Sequence, residues 1–220
     1  AGILHAAEKS SHINEIFGMR NGIEGLLRED VFRIDPLNEE EKYSLVCTPA
    51  AALGSCRKKL ADPHGDDLSE YEKIFSFFKR YEIRYFFYIG GNDSMDTVVK
   101  LSEYSKDKNY ETVFMGVPKT IDNDLMGTDH TPGFGSAAKY VATVMQEIAC
   151  DCSVYTTKAV TIVEVMGRDA GWLTAAAGLP RILGEHTADL IYLPEVAFDE
   201  EKFIADLRKQ LEIKPNVFVA

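Results

Sequence analysis

Long apolar stretches are missing from this chain. Its longest hydrophobic runs, at 85–89 and 113–117, fall far short of the roughly 20 residues a membrane-crossing helix needs. Positive charge is also scarce. Lysine and arginine number 24 against 35 aspartates and glutamates, for a formal charge of -11 and a pI near 4.9. A general nucleic-acid partner or an anionic membrane surface requires a basic face that displaces counterions, so neither partner is expected. A small anionic ligand is not excluded, because a few local cations and backbone N–H groups can outweigh the global field. Cysteine is sparse: Cys47, Cys56, Cys150 and Cys152 are all there is. Cys150 and Cys152 have no matching second pair and lack the usual two-residue gap of a zinc knuckle. The four read as reduced structural thiols rather than a disulfide framework. The first residues show no basic region, apolar segment or small-residue cleavage site, and the expected location is the cytoplasm.

What is present is core-forming material. Hydrophobic residues make up 45% and charged residues 27% of 220, enough for one or two folded domains. Helix-like and strand-like segments alternate. Residues 1–10 read as the tail of a helix, followed by a short strand near 13–17. Residues 68–81 place Leu68, Tyr71, Phe75 and Phe78 on one helical face. The run 85–89, without polar alternation, predicts a strand buried on both faces. A helix over 94–104 follows, capped by Asp93 or Ser94. Further strands are expected at 112–117, 159–165, 189–193 and 216–220. Further helices are expected at 135–150, burying Ala138, Val141, Met145, Ile148 and Ala149, at 170–178 and at 199–211. Such repeated strand–loop–helix units predict an α/β fold of parallel sheets with helices on both faces. The glycine-bearing loop 127–135 is the expected hinge between two lobes. Because the chain opens inside an apparent helix and stops inside an apparent strand, it reads as a piece of a longer polypeptide.

In parallel sheets ligands bind beyond the carboxyl ends of strands, which singles out the loops after Ile89, Val117 and Val165; a small-residue turn ahead of a basic cluster at 53–59 joins them as a fourth candidate. Gly90-Gly91-Asn92-Asp93-Ser94 lets the backbone approach a ligand and ends at a helix start, an arrangement that suits a phosphate. A tight strand-to-helix turn with a capping aspartate explains it equally. Pro118-Lys119-Thr120-Ile121-Asp122-Asn123-Asp124 gathers a cation, a hydroxyl and two carboxylates. In an extended segment Thr120, Asp122 and Asp124 point to one side. A carboxylate beside a sugar hydroxyl can act as general base and a nearby cation can stabilise phosphoryl charge. The alternative is a solvated acidic turn of the Asx type. Met166-Gly167-Arg168-Asp169 offers Arg168 as a bidentate clamp for a sugar phosphate, or as the partner of Asp169 or Glu164 in an ion pair. Trp172 is expected in the core. Leu53-Gly54-Ser55-Cys56-Arg57-Lys58-Lys59 suits an anion, although a solvated charged face is the default for such a cluster.

Together these loops resemble the phosphofructokinase family. The matching stretches are GGND at 90–93, PKTIDND at 118–124, GFGSA at 133–137 and MGRDAGW at 166–172, with LGSCR at 53–57 and GMRNGIEGL at 18–26. The resemblance spans essentially the whole chain. It implies two Rossmann-like lobes, 1–132 on the phosphoryl-donor side and 133–220 on the sugar-phosphate side. It implies phosphoryl transfer to the C1 hydroxyl of fructose 6-phosphate, giving fructose 1,6-bisphosphate in glycolysis, with Mg2+ and a dimeric or tetrameric homo-oligomer. By this resemblance Asp122 is the base. Lys119 and Thr120 assist it. Thr120, Asp122, Asp124, Met166, Gly167 and Arg168 contact the sugar. Gly90, Gly91, Asn92, Asp93, Ser94 and Arg57 hold the donor, and Asn92 and Asp93 hold the metal. Relatives that use ATP look like GGDG and PGTIDND. Here Asp93 and Lys119 replace the two glycines, a pattern similar to the pyrophosphate-dependent branch. An aspartate at 93 intrudes, by bulk and by like charge, where a nucleotide's α-phosphate lies. Lys119 brings a cation to the transferring group. With pyrophosphate as donor the reaction is expected to be reversible. The competing readings are an ATP-dependent enzyme and a catalytically silent regulatory or metabolite-binding homologue. Glu195 sits where effector-responsive relatives carry an acid, but reads here as part of a structural turn.

Overall fold

The computed structural model describes residues 1–35 and 37–220. They form two compact units, Ala1–Pro118 and Lys119–Ala220. These units part by packing, whereas the lobes 1–132 and 133–220 are a division by expected role.

The first unit runs α1 (Gly2–Glu8), β1 (Phe17–Met19), α2 (Gly22–Leu27), β2 (Val31–Arg33), α3 (Glu39–Cys47), α4 (Ser69–Arg80), β3 (Tyr85–Gly90), α5 (Asn92–Asp107) and β4 (Val113–Pro118). Strands β1 and β2 pair antiparallel, while β3 and β4 pair parallel from Tyr85↔Val113 to Gly90↔Pro118. Parallel neighbours need a crossover, and α5 supplies it.

The core is aromatic. Helix α4 buries Tyr71, Ile74, Phe75, Phe77 and Phe78, and these meet Ile23 and Leu26 of α2, Phe86 and Tyr88 of β3, and Leu101 and Tyr104 of α5. The face expected from periodicity is therefore inward, with Leu68 packed at its edge. Phe75 is fully buried, and its ring lies 5.0 Å from Tyr104, 4.5 Å from Tyr110 and 5.4 Å from Phe78. Such tilted and edge-on pairs add to the burial of their area.

Strand β3 departs from expectation. It alternates: Phe86 and Tyr88 are buried, whereas Tyr85 is 51% and Ile89 56% exposed. Helices α4 and α5 both pack on the side presented by Phe86 and Tyr88. The opposite side of the β3–β4 ladder is open among the described residues of this unit. An unbroken apolar run carries no signal of which side is covered, so sequence alone did not separate the two cases. The short strand expected near 13–17 begins only at Phe17.

The second unit runs α6 (Phe134–Ser153), β5 (Ala159–Ile162), α7 (Trp172–Ala176), α8 (Leu179–Ile182), α9 (Glu200–Ile213) and β6 (Asn216–Val219). Strands β5 and β6 pair parallel from Ala159↔Asn216 to Ile162↔Val219. The core gathers Met145 and Ala149 of α6 with Ala177, Ala188, Phe218 and Ala220, and Val141 and Ile148 pack against it. Strand β6 is buried throughout, but β5 is mostly exposed. The strand expected at 189–193 reduces to one bridge, Leu190↔Val219. Main-chain bonds still join the segment to β6, from Asp189 N to Phe218 O at 2.7 Å and from Tyr192 N to Ala220 O at 2.9 Å, and the Asp189 carboxylate accepts from Phe218 N at 2.9 Å and pairs with Lys214 at 2.6 Å. Trp172 is 55% exposed rather than core.

Two buried groups make the first unit testable. Phe75→Ala should destabilise the protein by about 3–5 kcal/mol in urea unfolding, the usual cost of emptying an aromatic site. Tyr88 has its hydroxyl 3.1 Å from Ile23 N, whose proton it accepts, and burial pushes its pKa up to about 12. Tyr88→Phe should cost about 1–3 kcal/mol by the same measurement, because the Ile23 N–H loses its acceptor.

Candidate active site

Strand β3 delivers the first loop. A side chain at Gly90 would put its Cβ 2.1 Å from Ser94 Oγ, so only glycine lets the strand pass this close to the start of α5. Gly91 is the N-cap, and its carbonyl accepts from Ser94 N and Met95 N. The first-turn N–H groups at Asn92 and Asp93 have no acceptor within the helix. Asp93 therefore sits in the first turn of a helix of 16 residues, where a negative charge is favoured. The capping role expected for Asp93 or Ser94 is not seen, since no side chain caps this helix.

Asp93 also meets the basic cluster at 53–59. Its Oδ1 lies 2.9 Å from Lys59 Nζ, with both side chains more than half exposed. A pair this wet contributes about 0–1 kcal/mol. Its consequence is positional, since it brings two separately identified loops to one place. The 53–59 turn is itself tied down: Asn21 N donates to Leu53 O at 2.7 Å and Asn21 Nδ2 to Ser55 O at 3.2 Å. Cys56 is half-buried against Tyr88, 3.8 Å from its hydroxyl. Burial works to raise the thiol's pKa, but the amides of Lys58, Glu24 and Ile23 and the Tyr88 hydroxyl outweigh it, and the net shift is downward. Arg57 is exposed and makes no ion pair among the described residues. Lys58 is engaged elsewhere, at 2.6 Å from Glu70.

The second loop leaves β4 at Pro118. Lys119 is exposed and forms no ion pair among the described residues. Thr120 Oγ1 accepts from Asp122 N at 3.0 Å, closing a tight turn. The segment is therefore not extended, and the alternation that would align Thr120, Asp122 and Asp124 does not hold. Asn123 takes a left-handed backbone (φ 60°), which half-buries Asp122 and leaves Asp124 exposed. Among the described residues two buried side-chain atoms lack a hydrogen-bond partner, Asp122 Oδ1 and Thr131 Oγ1. Both belong to this loop.

Sequence reasoning passed over Asn123. It is 7% exposed, donates from Nδ2 to Asp129 O at 3.1 Å, and accepts from Thr131 N at 2.8 Å through Oδ1. The available signal was its type, since asparagine tolerates left-handed backbone and bonds to nearby main chain.

The third loop turns at Gly167 (φ 128°), where a Cβ would fall 2.3 Å from Ala170 O. Met166 is 65% exposed. Arg168 pairs with Asp169 at 3.1 Å, both largely in solvent, so the ion-pair alternative describes its state here. A pair this exposed leaves the guanidinium free to exchange partners. Glu195 accepts from Gly171 N at 2.6 Å and anchors the loop, in the structural role read for it. Phe134, also passed over, stands between the second and third loops: its ring centroid is 6.0 Å from His130 and 6.4 Å from Trp172.

The first unit thus joins loops 53–59 and 90–94, and the second joins loops 119–131 and 166–172. The former offers cations, helix-start amides, one amide oxygen and one carboxylate. The latter offers a half-buried carboxylate, a lysine and an arginine. Among the described residues no three His, Cys, Asp or Glu side chains converge as a metal cage.

Comparison with known proteins fits this inventory. The phosphofructokinase family model matches residues 2–220. A pyrophosphate–fructose 6-phosphate 1-phosphotransferase of Xanthomonas campestris pv. campestris (strain B100) is 44% identical over 214 residues, covering 96% of this chain and 50% of that protein. A protein of the same name from Halomonas elongata is 39% identical over 217 residues, covering 96% of this chain and 51% of its own. The crystal structure of the pyrophosphate-dependent phosphofructokinase of Nitrosospira multiformis matches with a TM-score of 0.85 at 39% identity, over 99% of this chain and 55% of that one. The chain spans about half the length of the curated relatives it matches. With the family matched from residue 2 to residue 220, and its loops standing at strand ends and helix starts, the chain belongs to the phosphofructokinase family.

Proposed function

We propose that this chain carries the reacting loops of a pyrophosphate-dependent phosphotransferase. The enzyme moves a phosphoryl group from pyrophosphate to the C1 hydroxyl of fructose 6-phosphate, giving fructose 1,6-bisphosphate and orthophosphate. The observation that carries this reading is Asp122 Oδ1, a carboxylate oxygen shielded from water and left without a donor. A sugar hydroxyl supplies the missing donor, and the same contact makes Asp122 the base that takes its proton.

The other residues follow from their exposure. Thr120 holds the Asp122 amide and so fixes the base's backbone. Asp124, Met166, Gly167 and Arg168 contact the sugar phosphate, with Arg168 exchanging Asp169 for the phosphate oxygens. Lys119, exposed and without an ion pair among the described residues, supplies charge to the transferring phosphoryl group. On the donor side Gly90, Gly91 and Ser94 present the helix start, and Arg57 adds a cation. Asn92 and Asp93 are the residues that would hold Mg2+, which shields diphosphate charge when bound. One carboxylate and one amide oxygen fit such an ion, since Mg2+ commonly takes only one or two protein oxygens and completes its shell with phosphate and water. Residues 1–132 form the donor lobe and 133–220 the sugar lobe in this reading. The working form is a cytoplasmic homo-oligomer. Four free cysteines suit a reducing compartment, and no helix is long and apolar enough to cross a membrane among the described residues.

The choice of pyrophosphate rests on Asp93 and Lys119 and on the names of the relatives above. The Asp93 carboxylate at the start of α5 repels an α-phosphate.

Two experiments on a full-length enzyme follow. Asp122→Asn should lower kcat by about two to four decades, the scale of a lost general base, in a coupled assay with pyrophosphate. Turnover within threefold of the parent would sink Asp122 as the base. Replacing both Asp93 and Lys119 by glycine should depress pyrophosphate turnover and weaken discrimination against ATP without yielding a good ATP enzyme. A parent that turns over ATP and ignores pyrophosphate overturns the donor assignment.

A further inference from the structure

The reactive loop is organised around a residue that touches no reacting atom in the scheme above. Asn123 lies between the two aspartates, and its own side chain points back into the protein. Its Nδ2 donates to Asp129 O at 3.1 Å and its Oδ1 accepts from Thr131 N at 2.8 Å. One side chain thereby closes the excursion from 123 to 131 on both its edges. Thr131 is 3% exposed, and its carbonyl accepts from Phe134 N at 3.1 Å, at the first residue of α6. The staple is therefore seated on the start of a helix of 20 residues. The backbone of Asn123 is left-handed (φ 60°). That conformation reverses the chain immediately after Asp122, so Asp122 is half-buried and Asp124 exposed.

We propose that Asn123 is a positioning residue for the phosphoryl transfer. It holds Asp122 in the one orientation that keeps Oδ1 dry and unpartnered, ready for the sugar hydroxyl. The inference rests on the reading of Asp122 as base. Its physical content is orientation. The left-handed turn sets the direction in which the Asp122 side chain leaves the backbone. The two side-chain bonds stop the loop from relaxing to a conformation in which that oxygen finds water. Neutrality at position 123 matters as well. A carboxylate there would stand beside Asp122 and Asp124 and oppose ionisation of the base.

Two substitutions separate these effects in a full-length enzyme assayed with pyrophosphate. Asn123→Gly keeps the left-handed backbone at no steric cost and removes both side-chain bonds. It should lower kcat by about ten- to a hundredfold, the penalty of a loosened reacting group, with KM for fructose 6-phosphate within about twofold of the parent. Asn123→Asp preserves shape and the bond from Thr131 N, but sets an oxygen against Asp129 O and adds charge. The acid limb of its kcat profile should move to higher pH, because the base then loses its ionised form earlier as pH falls. In the unsubstituted enzyme the Thr131 amide should exchange slowly with solvent deuterium, a readout that needs no variant to fold. Rapid exchange at Thr131 overturns the staple. A kcat for Asn123→Gly within twofold of the parent, or an unmoved acid limb in Asn123→Asp, overturns the positioning role. Asp122→Asn measured alongside distinguishes the two levels. If it is inactive while the Asn123 variants behave as the parent, only the staple fails. If it retains turnover, the base assignment fails and takes the positioning role with it.

Discussion

Keeping a carboxylate oxygen out of water with nothing donating to it costs on the order of 1–3 kcal/mol. The fold meets that cost at Asp122, and the rest of the second unit's loop architecture is arranged so that it must. Thr120 takes the Asp122 amide, Asn123 turns the chain, and Thr131 ties the far end to the start of α6. Local strain of this kind persists only where surrounding contacts over-determine it. A solvated acidic turn would leave its carboxylates wet, as Asp124 is. The contrast between two aspartates two positions apart is the observation on which the role proposed for this loop rests.

The loops proposed for the donor side follow a different logic. They carry little burial and few strong contacts. Lys59 and Asp93 meet in a pair too exposed to add much stability, and Arg57 reaches into solvent. What holds these loops in place lies beneath them. The aromatic layer of α4, with Phe75 among Tyr104, Tyr110 and Phe78, and Phe78 against Phe86, fixes β3 and hence the point at which loop 90–94 leaves the sheet. Tyr88 extends that layer upward, with its ring in the core and its hydroxyl holding the start of α2 beside Cys56. An apolar base under an exposed charged rim fits the donor role proposed for these loops.

Much of this was legible in the chain itself. Glycine at 90 and proline at 118 mark strand ends because one has no side chain to clash with Ser94 and the other cannot continue a ladder. The α4 face at Tyr71, Phe75 and Phe78 was legible because helical period and burial coincide there. The expected strand at 189–193 shortens to one bridge: main-chain bonds from Asp189 N to Phe218 O, Ala220 N to Leu190 O and Tyr192 N to Ala220 O still run beside β6, and the Asp189 carboxylate adds a bond from Phe218 N that no hydropathy pattern reports. Trp172 was misplaced for a related reason: a large aromatic is usually buried, and only its neighbours decide otherwise.

The order of residues therefore determined which chemical groups stand at the strand ends: a lysine, two aspartates, an arginine and paired glycines, each followed by a helix or a turn. That information is local, since it depends on spacing and on what each side chain permits its own backbone to do. Tertiary structure alone decided which aspartate is dry. Asp122 and Asp124 are identical in type and nearly so in neighbours. They are separated only by a left-handed residue whose amide reaches across the loop to Asp129 and Thr131. Burial is a property of the surroundings, and here they are assembled by side-chain bonds that span six and eight residues, which the spacing of the loop's own residue types does not announce.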